Sequence, residues 1–242
     1  GKVSEWMERG RTYSDVAVYL PYEDAVMKGA LPQERRRVWV WGEYEMRYVH
    51  FPQELEGYHP LWINGHFLEQ AKLENGKLTV GDAQFSSLYI DVEYMDIRAM
   101  RRMVLLARMG FPICLKRIPK QPGHSKSDEY LHMQQELAGL KNVKNEFEGV
   151  AQNPPLIQGD SIPDHWCRVE KNGSHLIFLA QPLAKDLQYP VYCGQSIMES
   201  SIFRELTLNV NGHSITENFE FRPYQSLLLK VSPKGKLEYL DI

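Results

Sequence analysis

Three short runs of carboxylates, phenols and cations each follow an apolar stretch closely. Tyr22-Glu23-Asp24 follows Asp15 to Leu20, Asp91-Val92-Glu93-Tyr94 follows Ser87 to Ile90, and Lys116-Arg117 follows Phe111 to Leu115. If the apolar stretches are strands of one open parallel sheet, the runs meet on the rim where such sheets bind ligands. Carboxylates accept and cations donate hydrogen bonds, so this rim reads as a polar site for a hydroxyl-rich ligand. The expected ligand-binding residues are Tyr22, Glu23, Asp24, Trp62, Asp91, Glu93, Tyr94, Lys116 and Arg117. The plainer reading is that strand ends are polar in any protein and that these charges pair with one another. Were the chain itself a glycoside hydrolase, Glu23 with Glu93 would be the acid and base pair.

Aromatic residues supply a second kind of surface. Between Trp39 and Trp62 lie Trp39, Trp41, Tyr44, Tyr48, Phe51, Tyr58, His59 and Trp62, with Glu43, Glu45 and Arg47 among them. Sugars stack on such rings, but aromatics also anchor contacts between domains. Packing against a neighbouring domain is the expected role.

Other chemistries find little support. A class I glutamine amidotransferase, an enzyme on a flavodoxin-like sheet, needs a cysteine on a glycine-flanked elbow. Cys114 instead lies within Pro112-Ile113-Cys114-Leu115-Lys116, while Cys193 precedes Gly194 in a stretch with no helix pattern. The expectation is no catalytic residue. The eight histidines form no His-x-x-x-His pair, and no glycine-rich phosphate loop occurs, so neither a metal nor another cofactor is expected.

Composition narrows the partners. The 242 residues carry 28 Lys plus Arg against 31 Asp plus Glu, a formal charge of -3 that leaves no footprint for nucleic acid or an anionic membrane. The cluster Glu34-Arg35-Arg36-Arg37 reads as a solvated helix face. Three separated cysteines make no disulfide framework, and no apolar segment reaches membrane-spanning length. The start at Gly1-Lys2-Val3 reads as that of an excised fragment.

The elements that must position the rim follow from periodicity. Strands are expected over Asp15 to Leu20, Pro60 to Asn64, Ser87 to Asp91 and Phe111 to Leu115. Helices are expected over Gln33 to Tyr48, Phe67 to Lys72, Asp96 to Met109 with Leu105, Leu106 and Met109 facing the sheet, and Ser127 to Leu140. Glu74-Asn75-Gly76-Lys77 marks a turn. From Trp166 the pattern changes to short runs split by Asn172-Gly173, Asn211-Gly212 and Pro233-Lys234-Gly235. The expected strands there are Trp166 to Val169, Leu176 to Ala180, Phe203 to Val210, Ser226 to Val231 and Leu237 to Leu240. The fold class is α/β, a flavodoxin-like parallel-sheet domain over 1–152, followed by a small all-β sandwich over 153–242.

Several segments carry a family resemblance: Trp62-Ile63-Asn64, Phe67-Leu68-Glu69-Gln70-Ala71, Glu74 to Val80, Phe85 to Ile90, Trp166 to Val169, Ile177 to Pro182 and Phe221 to Leu229. Together they resemble the region that follows the barrel in large rhamnosidase-type glycoside hydrolases. The resemblance spans about residues 12 to 242. It implies a glutamine-amidotransferase-like domain without its triad and then a β domain, forming a non-catalytic, accessory part of a carbohydrate-active enzyme, often bacterial and exported to the periplasm or beyond. The implied partners are the parent's catalytic domain and an oligosaccharide. The family's catalytic glutamates lie on the barrel and have no counterpart among these residues.

Overall fold

In the computed structural model, residues 1–28, 50–123, 127–183 and 199–241 are described. The helix expected over Gln33 to Tyr48, the Glu34 to Arg37 cluster, Trp39, Trp41 and Cys193 lie outside them. The first half holds α1 (Lys2–Met7), β1 (Arg11–Thr12), β2 (Val16–Tyr19), α2 (Tyr22–Lys28), β3 (Leu61–Ile63), α3 (Gly65–Gln70), β4 (Lys72–Glu74), β5 (Lys77–Val80), β6 (Ala83–Phe85) and β7 (Ser87–Ile90). After these come α4 (Ile97–Arg108), β8 (Ile113–Leu115), α5 (Asp128–Gly139), β9 (Val143–Lys144), β10 (Ile157–Gly159), β11 (His165–Val169) and β12 (His175–Leu179). The last strands are β13 (Ile202–Val210), β14 (His213–Phe221), β15 (Leu227–Val231) and β16 (Leu237–Tyr239).

Contacts divide the chain into two units: Ser14–Glu54 with Pro60–Asn153, and Gly1–Tyr13 with Leu55–His59 and Pro154–Ile242. Relative to the expected 1–152 and 153–242, two N-terminal segments therefore go with the β-rich unit. The causes are local: β1 pairs antiparallel with β11, and the Ile157 N–H donates to the Gly57 carbonyl at 2.9 Å.

The first unit is built on a parallel sheet in the order β3-β2-β7-β8-β9. Numbered by appearance, its strands run 2-1-3-4-5, the flavodoxin-like order, and the order reverses between β2 and β7. Strand alternation sends Ala17, Tyr19, Ile63, Leu88, Ile90, Ile113 and Leu115 into one core with α4 and α5. Trp62, Val18, Tyr89 and Cys114 therefore stand on the opposite face.

Helix α4 starts where the Asp96 carboxylate accepts the Arg98 N–H at 2.9 Å, an N-cap. Its buried stripe is Ala99, Met100, Met103, Val104, Leu106 and Ala107. This corrects the expected face, since Leu105 and Met109 are exposed and only Leu106 turns inward. One residue of phase, about 100°, separates the two readings. Helix α5 is capped by the Ser127 hydroxyl, which accepts the Tyr130 N–H, and the Tyr130 phenol donates to the Met95 carbonyl at 2.9 Å.

The second unit has two antiparallel sheets, β1-β11-β12-β15-β16 and β10-β13-β14. Their inner residues, among them Ile157, Cys167, Ile177, Leu208, Phe219, Phe221 and Leu229, form one core, as in a sandwich. Strands β13 and β14 pair over nine residues across the Asn211-Gly212 turn.

Candidate functional site

Pro21 supplies no N–H and closes β2, and α2 begins at the next residue. Tyr22, Glu23 and Asp24, expected as a loop at the strand end, are instead the first turn of that helix, where carboxylates suit the positive end of the dipole. Asp24 is only 6% exposed. Both its oxygens lie 3.0 Å from the Glu93 N–H, and Oδ1 also accepts the Tyr94 N–H at 2.7 Å. Glu23 Oε1 accepts the Tyr19 hydroxyl at 2.8 Å and the Asp96 N–H at 3.2 Å. The Tyr19 phenol is pushed well above its ordinary value, first by burial and then by the Glu23 charge. The first turn of α2 is thus tied by side-chain-to-backbone bonds to the loop after β7, across the point where the strand order reverses.

The remaining rim charges are paired. Arg117 Nε lies 2.7 Å from Asp91 Oδ1, and Lys120 Nζ lies 3.4 Å from Glu93 Oε1. Lys116 sits between Glu54 at 3.2 Å and Glu146 at 3.1 Å. Of the nine residues expected at the site, Asp91 and Arg117 meet side chain to side chain, and Asp24 meets Glu93 and Tyr94 through their backbone. Lys116 instead bonds two glutamates that sequence reading did not single out. Glu54 lies 62 residues from Lys116 and holds the Tyr89 hydroxyl at 2.6 Å, and no local pattern announces either contact.

Two hollows open at the carboxyl ends of the strands. One, of about 400 Å³, lies between α2 and the starts of α3 and α4, with Tyr22, Glu23, His66, Glu69 and Arg98 on its walls. Tyr22 is 57% exposed there. The other, of about 420 Å³, straddles the ends of β2, β3 and β7 on the face opposite α4 and is lined by Val18, Phe51, Gln53, Trp62, Tyr89 and Asp91. Phe51 and Trp62 stack in it with ring centres 4.5 Å apart and planes 14° from parallel. Phe51 belonged to the aromatic run read from the sequence; Gln53 carried no signal.

Cys114 is buried within β8. Burial first and the Glu54 charge second push its thiol up to about 12, far from the thiolate a nucleophile needs. Among the described residues no three His, Cys, Asp or Glu side chains are grouped so as to hold a metal ion, and no helix is long and apolar enough to cross a membrane.

No family model matches the chain, and no curated protein is similar to it. Among solved structures it is similar to the apo exo-carrageenase GH42 from Bacteroides ovatus, at 11% identity and a TM-score of 0.38, over 90% of this chain. The match spans 29% of the length of that protein.

Proposed function

We propose that this chain is an accessory, non-catalytic region of a carbohydrate-active enzyme that packs on, or completes, the catalytic domain. The observation that carries the non-catalytic part is the use made of the rim carboxylates. Asp24 and Glu23 hold backbone N–H groups, and Asp91 and Glu93 hold Arg117 and Lys120. A general acid or base must instead reach the reacting atoms of a substrate, with a pKa suited to the proton it moves. The raised pKa of Cys114 speaks against a nucleophilic thiol in the same unit. The carbohydrate part rests on the sequence resemblance, and the presence of a flavodoxin-like unit and a β-rich unit agrees with it.

The test is an assay of the 242-residue chain alone against a panel of aryl glycosides, alongside iodoacetamide labelling of the folded protein. No turnover and no labelling of Cys114 are expected. Turnover that disappears in Glu23→Gln or Glu93→Gln would falsify the accessory reading.

A second reading, a carbohydrate-binding module, is favoured by one observation, the ring stack of Phe51 and Trp62 inside a hollow at the carboxyl ends of the parallel strands.

A further inference from the structure

The hollow beside Trp62 has the features of a built ligand site. It lies where the strand order reverses, between the ends of β2 and β7, which is where doubly wound sheets bind ligands. Its volume of about 420 Å³ falls within the roughly 300–1,000 Å³ of small-molecule pockets. Phe51, Trp62 and Tyr89 bring aromatic rings to the walls, and Asp91, Gln53 and His50 supply polar groups.

The chemistry of those walls selects among ligand classes. Phe51 and Trp62 are stacked nearly parallel, so each covers one face of the other and the pair offers a ligand an outer, flat apolar face. The position of Tyr89 is fixed by its 2.6 Å hydrogen bond to Glu54, and that of Asp91 by Arg117 at 2.7 Å. Such fixed groups keep the ordering cost of binding small. Among the described residues no Lys or Arg lines the hollow, and its carboxylate, Asp91, is already paired with Arg117, so the walls supply no cation to hold a phosphate or carboxylate ligand. A neutral ring with a flat C–H face and hydroxyls around its edge suits these groups: the face lies on the outer face of the stack, one hydroxyl donates to Asp91, and Gln53 donates and accepts.

We infer that this hollow, with Trp62 and Phe51 as platform and Asp91 and Gln53 as hydrogen-bonding edge, is a binding subsite for a neutral pyranose ring. The choice of sugars to try rests on the carbohydrate reading above, whereas the site itself rests on the geometry.

The test is a titration of the whole 242-residue chain with methyl glycosides of rhamnose, galactose and glucose, read by the indole N–H resonances, with Trp62→Phe assigning the Trp62 peak. At least one glycoside is expected to shift that peak. Its affinity should fall about tenfold in Asp91→Asn, the loss of one well-made contact, and measurably in Gln53→Ala. Trp166→Phe, at an exposed position in the other unit, should leave it unchanged. A Trp62 peak that no glycoside moves overturns the subsite, as does a site that takes only adenosine monophosphate or benzyltrimethylammonium. Aryl glycoside turnover measured on the same samples keeps the two ideas apart. Turnover strikes the accessory reading whatever binds, and a silent Trp62 strikes the subsite while leaving that reading in place.

Discussion

Asp24 holds Glu93 by its backbone: both carboxylate oxygens lie 3.0 Å from the Glu93 N–H, across 69 residues of sequence. With the Tyr94 N–H bound as well, one buried side chain fixes the loop that leaves β7. Asp24→Ala would strand these N–H groups and should cost roughly 2–4 kcal/mol in urea denaturation. Asp24→Asn keeps one oxygen and should cost about half as much. Equal, near-zero costs for both would mean that the loop is held by other contacts.

The phase of α4 gives a sharper contrast. Met103 is fully buried against the sheet, whereas Leu105, two residues on, is 42% exposed. Met103→Ala leaves a cavity and should destabilise by about 2–5 kcal/mol, while Leu105→Ala should stay within about 0.5 kcal/mol. Thermal unfolding of the two variants distinguishes the observed face from the one expected at the sequence level.

How far this fold could be read from residues depended on whether the signal was local. Asn64 before Gly65 announces α3 because the cap is a short-range bond, the Phe67 N–H to Asn64 Oδ1 at 2.9 Å. Asn75-Gly76 announces its hairpin because both residues take positive φ, at 50° and 75°. The apolar runs of β2, β7 and β8 mark a sheet buried on both faces. By contrast β14, His213–Phe221, is mostly polar and becomes a strand through pairing with β13, so composition hides it. Strand β9, only Val143–Lys144, is too short to show a period. At the site, the rim residues could be located but not their partners: Lys116 with Glu54 and Asp24 with Glu93 are tertiary facts, set by topology rather than by spacing.

Gly57 takes φ +80°, and a Cβ built there would fall 2.0 Å from the Ile157 carbonyl oxygen. The neighbour is backbone, which cannot swing aside, and the same pair carries the hydrogen bond from the Ile157 N–H to the Gly57 carbonyl. Gly57→Ala should therefore destabilise the β-rich unit by more than about 2 kcal/mol, combining positive-φ strain with a broken contact. Gly76 has φ +75° with open space around it, so Gly76→Ala should cost only about 1 kcal/mol. Denaturant midpoints that fail to separate the two variants would show that the Gly57 segment gives way to accommodate a Cβ.

Acid should weaken the same unit through His59. Its Nε2 accepts the Cys167 N–H at 3.2 Å, which places the proton of the neutral ring on Nδ1. The ring packs near Tyr13, at 6.3 Å, and His165, at 5.9 Å, and Tyr13 in turn packs 5.2 Å from His175. Burial first and His165 second bring His59 down to about 4 from its ordinary 6.5, and burial lowers His175 as well. Because the folded value lies below the unfolded one, stability is full above pH 6.5. Between 6.5 and about 4 the unfolded chain binds a proton that the folded chain refuses, so stability falls with pH, by about 3 kcal/mol for this group alone. A protonated ring would also turn a second donor toward the Cys167 N–H. Urea denaturation from pH 7.5 to 4.5 should show that slope, with faster amide exchange at Cys167 at the acid end. His59→Gln can still accept the Cys167 N–H through its amide oxygen but does not titrate, so it should flatten the slope to what His175 leaves. An unchanged slope in that variant would assign the acid sensitivity to other groups.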